Sequence, residues 1–453
     1  MMLANAVLLL LVAGVPAQEQ LPVQQVDLLV GQAQELGPPL AGQGEQVEDP
    51  GKQVAVQEEE EPGQAAVQAE EEAGPAAAQG EEEGAKRFYW DNGLWLEAPR
   101  LHLRMRIGGE LHLDSAAFVA PEDLKPLDSD TAWRRARLDL RGFLGERFRY
   151  RLRWDATSTS PRLKDAYLDI EFLRLNTYVR SGRFSAVFGL ENTASSNDYV
   201  FMEKALTQVF VPPQETGFLL HSQGPEGNWD VGFAGASNEL TSCVICDVTG
   251  VITRFSRGFK FAEGRRVLHA GINWAGRWTG DGDITRFRSR PESFLAPHLV
   301  DTGIIQAERV DVAIGEAAFQ NGPFALLAEY GSAWTRSVEA ENPRFESFYV
   351  MAVYALTGEQ RPYSDSSGGF GRPRPAKPFF GGEGGVGAIE VAARYSYLDL
   401  NDQKITGGIL RDVTFGANWY PTTQQRVAFN VIRADRVGFD PLWVFQLRLQ
   451  WSI

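Results

Sequence analysis

Arginine recurs at every second position in two adjoining stretches of the chain. A guanidinium stays charged at any physiological pH, and its planar fork can bind two oxygens of a phosphate or carboxylate. Several guanidiniums side by side would therefore hold or guide anions. The positions are Arg135, Arg137 and Arg141 in the first stretch and Arg147, Arg149, Arg151 and Arg153 in the second.

The residues between these arginines are apolar or aromatic, which indicates β-strands. Alternate side chains of a strand point to opposite faces, so Phe148, Tyr150 and Leu152 share the face that the arginines leave free. Leu144, Gly145 and Glu146 make a tight connection between the two stretches, so the pair is predicted to be a hairpin. Its two strands would place six guanidiniums (135, 137, 141, 149, 151 and 153) on one surface.

The same period of two extends over most of the chain from residue 101. Residues 101–114 alternate throughout. That length exceeds the roughly five or six residues of an ordinary strand and suits a tilted strand that crosses a bilayer. The tally of strands is 16 or 17, and since bacterial barrels have even numbers, we predict a 16-stranded antiparallel transmembrane β-barrel. Later strand-like segments are 163–173, 175–184, 215–222, 228–236, 250–263, 266–278, 299–306, 308–320, 323–336, 345–357, 387–400, 409–420, 424–435 and 441–453.

Charge is distributed unequally along the 453 residues of the chain. Residues 1–85 hold 16 acidic groups and one basic group, which accounts for the whole net charge of −15, while residues 86–453 carry 43 of each sign. Beyond the extreme N-terminus no run of about 18 apolar residues occurs, which excludes a helical membrane protein. Two cysteines exclude a disulfide-stapled miniprotein.

The N-terminal part predicts two further segments. Residues 6–17 are apolar and end in Val15, Pro16 and Ala17, a pattern typical of a secretory signal peptide (1–17) cleaved after Ala17. Residues 18–85 are rich in Gln, Glu, Ala, Gly and Pro, so we expect a disordered acidic linker ahead of the barrel at 86–453. It could serve as a solvated tether to the envelope, as an arm that binds cations or a basic partner, or as a modulator of the pore.

Several stretches resemble the phosphate-selective porin family (porin O and P type). They include Arg-Arg-Ala-Arg at 134–137, Lys-Asp-Ala-Tyr at 164–167, the Ser-rich segment 188–206, Leu-Thr-Gly-Glu at 356–359, residues 390–402 and Gly-Ala-Asn-Trp-Tyr-Pro at 416–421. The resemblance implies a homotrimeric outer-membrane channel with a basic interior and a constriction formed by an infolded loop. It adds Lys164 to the candidate anion pathway.

Two departures from the family pattern remove positive charge near the segment that resembles the constriction. Ser185 replaces a lysine, and Gln214 and Glu215 stand where the family has two arginines. The resemblance therefore implies the barrel more strongly than it implies phosphate specificity. Arg183 is a candidate to compensate for Ser185, although it occupies a different register.

The predicted function is passive diffusion of small anions, such as phosphate or polyphosphate, through an Arg-lined lumen of a barrel whose outer face contacts outer-membrane lipid. Two alternatives remain: a plugged or weakly selective barrel with a structural role, and an outer-membrane enzyme. Carboxylates at 139, 155, 165, 169 and 171 could pair with the arginines and leave a pore without marked selectivity. No cofactor and no nucleic-acid partner are expected.

Cys243 and Cys246 form a Cys-Val-Ile-Cys motif in a predicted loop. Zinc would need two more ligands, and no other Cys or His lies nearby in the sequence. A disulfide between Cys243 and Cys246 is the simplest interpretation for an exported protein. The Gly- and Pro-rich stretch 364–386 is expected to be a long surface or infolded loop.

Overall fold

Sixteen antiparallel strands form a closed barrel, as predicted. The computed structural model describes residues 86–157, 162–212, 214–224, 227–235, 249–278, 284–380 and 384–453. Each strand pairs with the next along the chain, and β16 pairs with β1, which closes the sheet. The strands are β1 (Leu103–Val119), β2 (Asp130–Leu144), β3 (Phe148–Asp155), β4 (Arg162–Phe172), β5 (Thr177–Phe184), β6 (Glu215–Gly224), β7 (Gly227–Gly235), β8 (Thr249–Phe261), β9 (Arg266–Trp278), β10 (Arg309–Asn321), β11 (Phe324–Arg336), β12 (Arg344–Ala355), β13 (Ala388–Asp402), β14 (Ile405–Thr422), β15 (Gln425–Arg436) and β16 (Leu442–Ser452).

The strands expose one face and bury the other, as the alternation predicts. In β16, Trp443, Phe445 and Leu447 are exposed on the outside, while Gln446 and Arg448 are buried on the inside. An apolar outer surface of this kind needs lipid around it. Among the described residues, no helix is both long and apolar enough to cross a bilayer.

The two ends of the barrel differ in their connections. Turns of two to four residues (145–147, 173–176, 262–265, 322–323 and 423–424) join strands at one end, here called the short-turn end. The opposite, long-loop end carries connections such as 120–129 and 185–214. Bacterial outer-membrane barrels have their short turns on the periplasmic side, which sets the orientation. A hairpin of two further strands, Arg87–Trp90 and Leu94–Ala98, is added to the first residues of β1 at the short-turn end.

Three connections fold into the barrel instead of running over its surface. Residues 185–214 and 284–308 come from the long-loop end, and residues 356–387 come from the short-turn end. The first of these buries Phe188 and Phe201 completely. The Gly- and Pro-rich stretch 364–386 is thus infolded over its first half, where Ser366 and Phe370 are buried, whereas Phe379 and Phe380 towards its end are exposed on the surface.

The prediction of a barrel strand at 299–306 is wrong. Val300–Asp301 pairs with Arg288–Ser289, and Ile305–Gln306 pairs with Ile284–Thr285, so the segment belongs to small inner hairpins. Leu299, Val300 and Ile305 pack into the apolar cluster around the infolded segments. Alternation alone does not distinguish such a hairpin from a wall strand, and removing it from the tally of 17 leaves the 16 strands seen.

The predicted signal peptide, the acidic linker and the cysteine pair lie outside the described residues.

Candidate functional site

The inner faces of β1 to β5, here called the ladder wall, carry the arginines singled out in the sequence. Arg137 on β2 donates from Nη1 to Glu110 of β1 and from Nε to Asp155 of β3, both at 2.9 Å. These three residues are also directly opposite one another in the strand register. A row of alternating charge therefore crosses three neighbouring strands.

A second row of the ladder wall places like charges side by side. Arg106 of β1 lies opposite Arg141 of β2, and Arg141 lies opposite Arg151 of β3. Directly opposed like charges destabilise a sheet. The fold tolerates this row partly because Asp139, one step along β2, accepts hydrogen bonds from Arg151 and from Arg153 at 3.2 Å.

The five carboxylates that could leave the pore without marked selectivity (139, 155, 165, 169 and 171) all form ion pairs with arginines of the ladder wall. Asp139, Asp155 and Asp169 each accept a guanidinium hydrogen bond. Asp165 lies 3.4 Å from Arg153, and Glu171 lies 3.4 Å from Arg149. The ladder wall is therefore a network of positive and negative side chains rather than a continuous positive surface.

The remaining predicted site residues fall in different places. Arg135 is fully buried, with Nη1 3.2 Å from Nδ1 of His112. Lys164 is buried at the bulge where β3 and β4 change register. Arg183 lies on the same face of β5 as Val179 and Ser181, the face opposite to the ladder, and its Nε donates to the Leu163 carbonyl at 3.1 Å.

The inward arginine of β5 is Arg180, which the sequence analysis missed. Its Nε donates to Asp169 at 2.8 Å, and its guanidinium lies 3.8 Å from the centre of the Tyr167 ring. Alternation within residues 177–184 contained this information, because Arg180 has the parity of the buried Tyr178. The family resemblance singled out Arg183 and did not single out Arg180.

The ladder wall borders a cavity of about 510 Å³ at the short-turn end, here called the mouth cavity. It is also bounded by the hairpin residue Asn92, the 423–424 turn and the infolded loop 356–387. Its lining includes four acidic side chains, Glu110, Asp139, Asp198 and Asp365, and seven basic ones, Arg106, Arg137, Arg141, Arg153, Lys260, Arg372 and Arg374. The lining therefore has an excess of three positive charges.

A smaller cavity of about 100 Å³, here called the inner cavity, lies towards the long-loop end. Arg286, Arg288 and Arg290 alternate along one of its sides. Burial lowers the pKa of His298 in its lining to about 3, and the guanidiniums of Arg290 and Arg288 contribute to the same shift. His298 is consequently neutral at physiological pH, and the positive charge here comes from arginine and Lys204.

The infolded segment 185–214 separates the two cavities. Ser195, Asn197 and Asp198 line the mouth cavity, whereas Glu203 and Lys204 line the inner one. The residues between them, 199–202, are buried. This segment is thus the partition between the cavities, in the position expected for a constriction.

The partition is held by arginines of β13 to β16, the strands that adjoin the ladder wall on the side of β1. Arg426 of β15, Arg448 of β16 and Arg394 of β13 donate to the carbonyls of Val200, Met202 and Glu203, at 2.7, 2.6 and 2.9 Å. We call the inner faces of β13 to β16 the anchoring wall. Its arginines bind the partition backbone in addition to neighbouring strands, since Arg448 also donates to Asp114 of β1 and Arg426 to Asn418 of β14.

Carboxylates complete the anchoring. Arg394 also contacts Glu191 of the first infolded segment and Glu292 of the second, at 2.9 and 2.7 Å. Burial by itself would raise the pKa of Glu203, but the Arg134 guanidinium, 2.8 Å away, outweighs it and holds the pKa below its usual range. Glu203 is therefore ionised and tied to the strand wall.

The third infolded segment is fixed in the same way. Arg361 forms a two-point ion pair with Glu390 of β13, with both contacts at 2.8 Å, and donates to the Asp198 carbonyl at 2.7 Å. Arg254 of β8 donates to the Ser367 carbonyl at 2.7 Å. Of the described residues, no three His, Cys, Asp or Glu side chains are grouped so as to hold a metal ion.

Comparison with known sequences decides the family. The sequence profile of the phosphate-selective porin O and P family matches residues 105–438. The chain belongs to this family. It is therefore an outer-membrane channel protein rather than an enzyme, as the sequence resemblance implied.

Individual relatives agree with this family assignment. Porin O of Pseudomonas aeruginosa is 24% identical over 402 residues, which span 76% of this chain and 87% of the relative. An uncharacterized protein of Caulobacter vibrioides is 29% identical over 358 residues, which span 74% of this chain and 69% of the relative.

Solved structures share the fold. An OmpT variant of Vibrio cholerae that lacks loop L8 superposes with a TM-score of 0.50 at 10% identity, over 77% of this chain and 99% of that one. OprB of Pseudomonas putida gives 0.50 at 10% identity, over 77% and 94%.

The family stretches 390–402 and 416–421 now have a structural role. They supply Glu390, Arg394 and Asn418, which hold the infolded segments. The two departures also have places in the structure. Ser185 is buried, and the Gln214 amide donates to Asp165 at 3.0 Å, so a neutral group occupies a position where the family carries positive charge.

Proposed function

We propose that the protein is a passive channel with a preference for small anions, among them phosphate and polyphosphate. The observation that carries this proposal is the like-charge row of Arg106, Arg141 and Arg151, two of which line the mouth cavity. A wall built only for strand cohesion would oppose unlike charges at these positions. An anion beside this row would add to the compensation that Asp139 already gives Arg151.

The mechanism is electrostatic. Positive groups around a narrow aqueous space raise the local concentration of anions, and low-dielectric walls strengthen the effect. The acidic partners, such as Asp139, keep each site weak, so that an ion which binds can also leave. No covalent step is involved.

Reversal potentials in planar bilayers test the proposal. We expect R106Q/R141Q to reduce the ratio of chloride to potassium permeability by roughly tenfold, the low end of the range over which focused fields concentrate counter-ions. R344Q/K404Q removes two exposed charges at the long-loop end and is the matched control. A wild-type reversal potential without anion preference would exclude the proposal, and an unchanged ratio in R106Q/R141Q would exclude the like-charge row as its source.

A closed or weakly selective barrel is the second candidate. It is favoured by the partition at 199–202 and by the five carboxylates paired with the ladder wall. Single-channel recording separates the two candidates, because a closed barrel gives no current steps and a weakly selective one gives steps without an anion preference.

We further propose that the barrel assembles as a homotrimer in contact with outer-membrane lipid. The family resemblance supports the trimer, and the exposed apolar outer face supports the lipid contact. The hydroxyls of Ser115 and Thr131, 2.9 Å apart, also lie among exposed residues beside a surface groove, which suits a protein neighbour better than an acyl chain. Native mass spectrometry in detergent measures the number of subunits.

A further inference from the structure

The hairpin that precedes β1 (residues 87–98), here called the added hairpin, continues the outer face of the barrel by two strands. Leu94 lies opposite Ile107 of β1, and Ile107 lies opposite Leu140 of β2. Within the hairpin, Trp90 lies opposite Leu94. Directly opposed residues of a sheet point to the same face, so one apolar row runs from the outside of the barrel onto the hairpin.

The outward side chains of the added hairpin are large, apolar and exposed. Phe88 is 67% exposed, Trp90 is 61% exposed and Leu94 is 40% exposed. A contiguous apolar patch of this kind marks a contact surface. Tryptophan in particular is enriched where a membrane meets water, because its ring is apolar and its N–H is polar.

The inward side chains of the added hairpin have partners within the chain. The Tyr89 hydroxyl donates to Glu97 at 2.9 Å, and the Trp95 indole donates to the Asp91 carbonyl at 3.0 Å. Arg104 of β1 lies 3.3 Å from Glu97, with its guanidinium 5.5 Å from the centre of the Trp95 ring. The hairpin therefore has one side suited to water and one side suited to lipid.

The turn of the added hairpin is fitted closely against Arg106. The Asn92 carbonyl accepts a hydrogen bond from Arg106, and Asn92 Oδ1 accepts one from Gln424 at 3.4 Å. Gly93 has a φ of +146°, and a Cβ there would lie 2.8 Å from Arg106 Nε and 3.0 Å from the Ile107 carbonyl. The position of the hairpin thus bears on an arginine of the like-charge row at the mouth cavity.

We propose that the added hairpin docks on phospholipids of the periplasmic leaflet through Phe88, Trp90 and Leu94, and that this contact holds its turn over Arg106. The continuous apolar row assigns lipid as the occupant, because the same row covers the outside of β1 and β2. Two-stranded hairpins are marginally stable in water, so the lipid contact stabilises this one. The docking extends the proposed lipid contact of the barrel, and only its effect on ion flow rests on the proposed anion preference.

Quenching by brominated lipid tests the docking. F88C and R87C are each made in a full chain carrying C243S/C246S, labelled with an environment-sensitive fluorophore and reconstituted in phosphatidylcholine vesicles with or without bromine on the acyl chains. Arg87 is exposed and adjacent in sequence but lies on the inward side, opposite Glu97, which makes it the matched control. We expect bromine to lower the emission at position 88 about twofold more than at position 87, because only the former side chain would touch acyl chains.

Two outcomes of that experiment would overturn the docking. Equal quenching at the two positions would mean that the outward side has no preference for lipid. A blue-shifted emission at position 88 that bromine does not quench would place a protein neighbour, such as a second subunit, on the hairpin instead.

Hydrogen exchange tests whether the docking holds the turn. We expect F88S/W90S to speed amide exchange of residues 91–98 about tenfold in vesicles, since a segment with fewer apolar contacts opens more often. F88L/W90L keeps the apolar surface and should exchange as wild type does. Unchanged exchange in F88S/W90S would overturn the role of lipid in holding the turn.

Reversal potentials connect the added hairpin to ion flow. The chloride-to-potassium permeability ratio of F88S/W90S should fall towards that of R106Q/R141Q, whereas that of F88L/W90L should stay at the wild-type value. A wild-type channel without anion preference would remove the proposed function and leave the docking, as measured by quenching, in place. A ratio that stays at the wild-type value in F88S/W90S, despite faster exchange, would overturn the link between the hairpin and Arg106.

Discussion

The ladder wall and the anchoring wall give arginine different sets of partners. On the ladder wall, arginines pair mainly with carboxylates on adjacent strands, such as Arg137 with Asp155. On the anchoring wall, Arg426 and Arg448 also contact adjacent strands, through Asn418 and Asp114, and in addition donate to backbone carbonyls of the partition. One wall therefore mainly contributes charge next to the mouth cavity, and the other also positions the partition.

The largest effect is expected from breaking the anchoring wall. R394Q would leave Glu191 and Glu292 without their shared guanidinium, and removal of one member of a buried ion pair costs on the order of 3–5 kcal/mol. We expect release of residues 185–214 and a larger, less selective conductance, with new protease cleavage in that segment. R411Q, on the exposed face of the neighbouring strand, is the control. Wild-type conductance and protease resistance in R394Q would contradict the anchoring role.

A change on the ladder wall should alter selectivity without altering size. D139N removes the acceptor shared by Arg151 and Arg153 in the mouth cavity, so the excess of positive charge there rises by one. We expect the chloride-to-potassium permeability ratio to increase about threefold, given the strength of fields in low-dielectric clefts, at nearly constant conductance in 1 M KCl. D435N, whose carboxylate pairs with Arg433 at the long-loop end, should leave the ratio unchanged. A ratio that falls in D139N would refute the separation of roles.

A smaller effect is expected where the chain departs from its family. Q214R would place a guanidinium beside Asp165, which now accepts a hydrogen bond from the Gln214 amide. We expect phosphate to block chloride current at lower concentration than in wild type, because arginine binds two phosphate oxygens at once. Q214M removes the amide without adding charge and separates the two contributions. Identical phosphate block in Q214R and Q214M would show that this position lies off the ion path.

The smallest effect is expected at the inner cavity. The pKa of His298 is about 3, lowered by burial and by Arg290 and Arg288, so the imidazole stays neutral from pH 8 down to pH 5. We expect H298Q and wild type to show the same pH dependence of chloride conductance over that range. A divergence between them near pH 6 would mean that His298 titrates at its ordinary value and adds charge to the ion path.

The contacts of the ladder wall could be predicted from the sequence, whereas those of the anchoring wall could not. Arg137 lies 27 residues from Glu110 and 18 residues from Asp155, on consecutive strands, so alternation and a tight turn sufficed to predict their common face. Arg448 and the Met202 carbonyl are 246 residues apart. No local sequence pattern predicts a contact between residues so far apart. The resemblance at 390–402 indicated that part of the anchoring wall matters but did not indicate its role.

The errors of the sequence analysis also have physical causes. Segment 299–306 is apolar and strand-like because its short inner hairpins pack Leu299, Val300 and Ile305 against the infolded core, and a short apolar run of this kind is easily taken for a wall strand. Arg183 was chosen by analogy with a motif, while parity along β5 favours Arg180. The acidic partners at 139, 165 and 169 were visible in the sequence, but whether they would meet the arginines depended on register, which the bulge between β3 and β4 shifts.

Arginine side chains hold the partition partly through its main chain, and this affects which of its residues can change in related channels. Arg426, Arg448 and Arg394 bind carbonyl oxygens, which every amino acid possesses. Side chains of the partition that make no contact with the walls can therefore be exchanged while its backbone keeps its place, whereas Glu191, Asn197 and Glu203 also hold it by their side chains. A change in solute preference would therefore require new side chains on the partition but no change in the fold of the barrel.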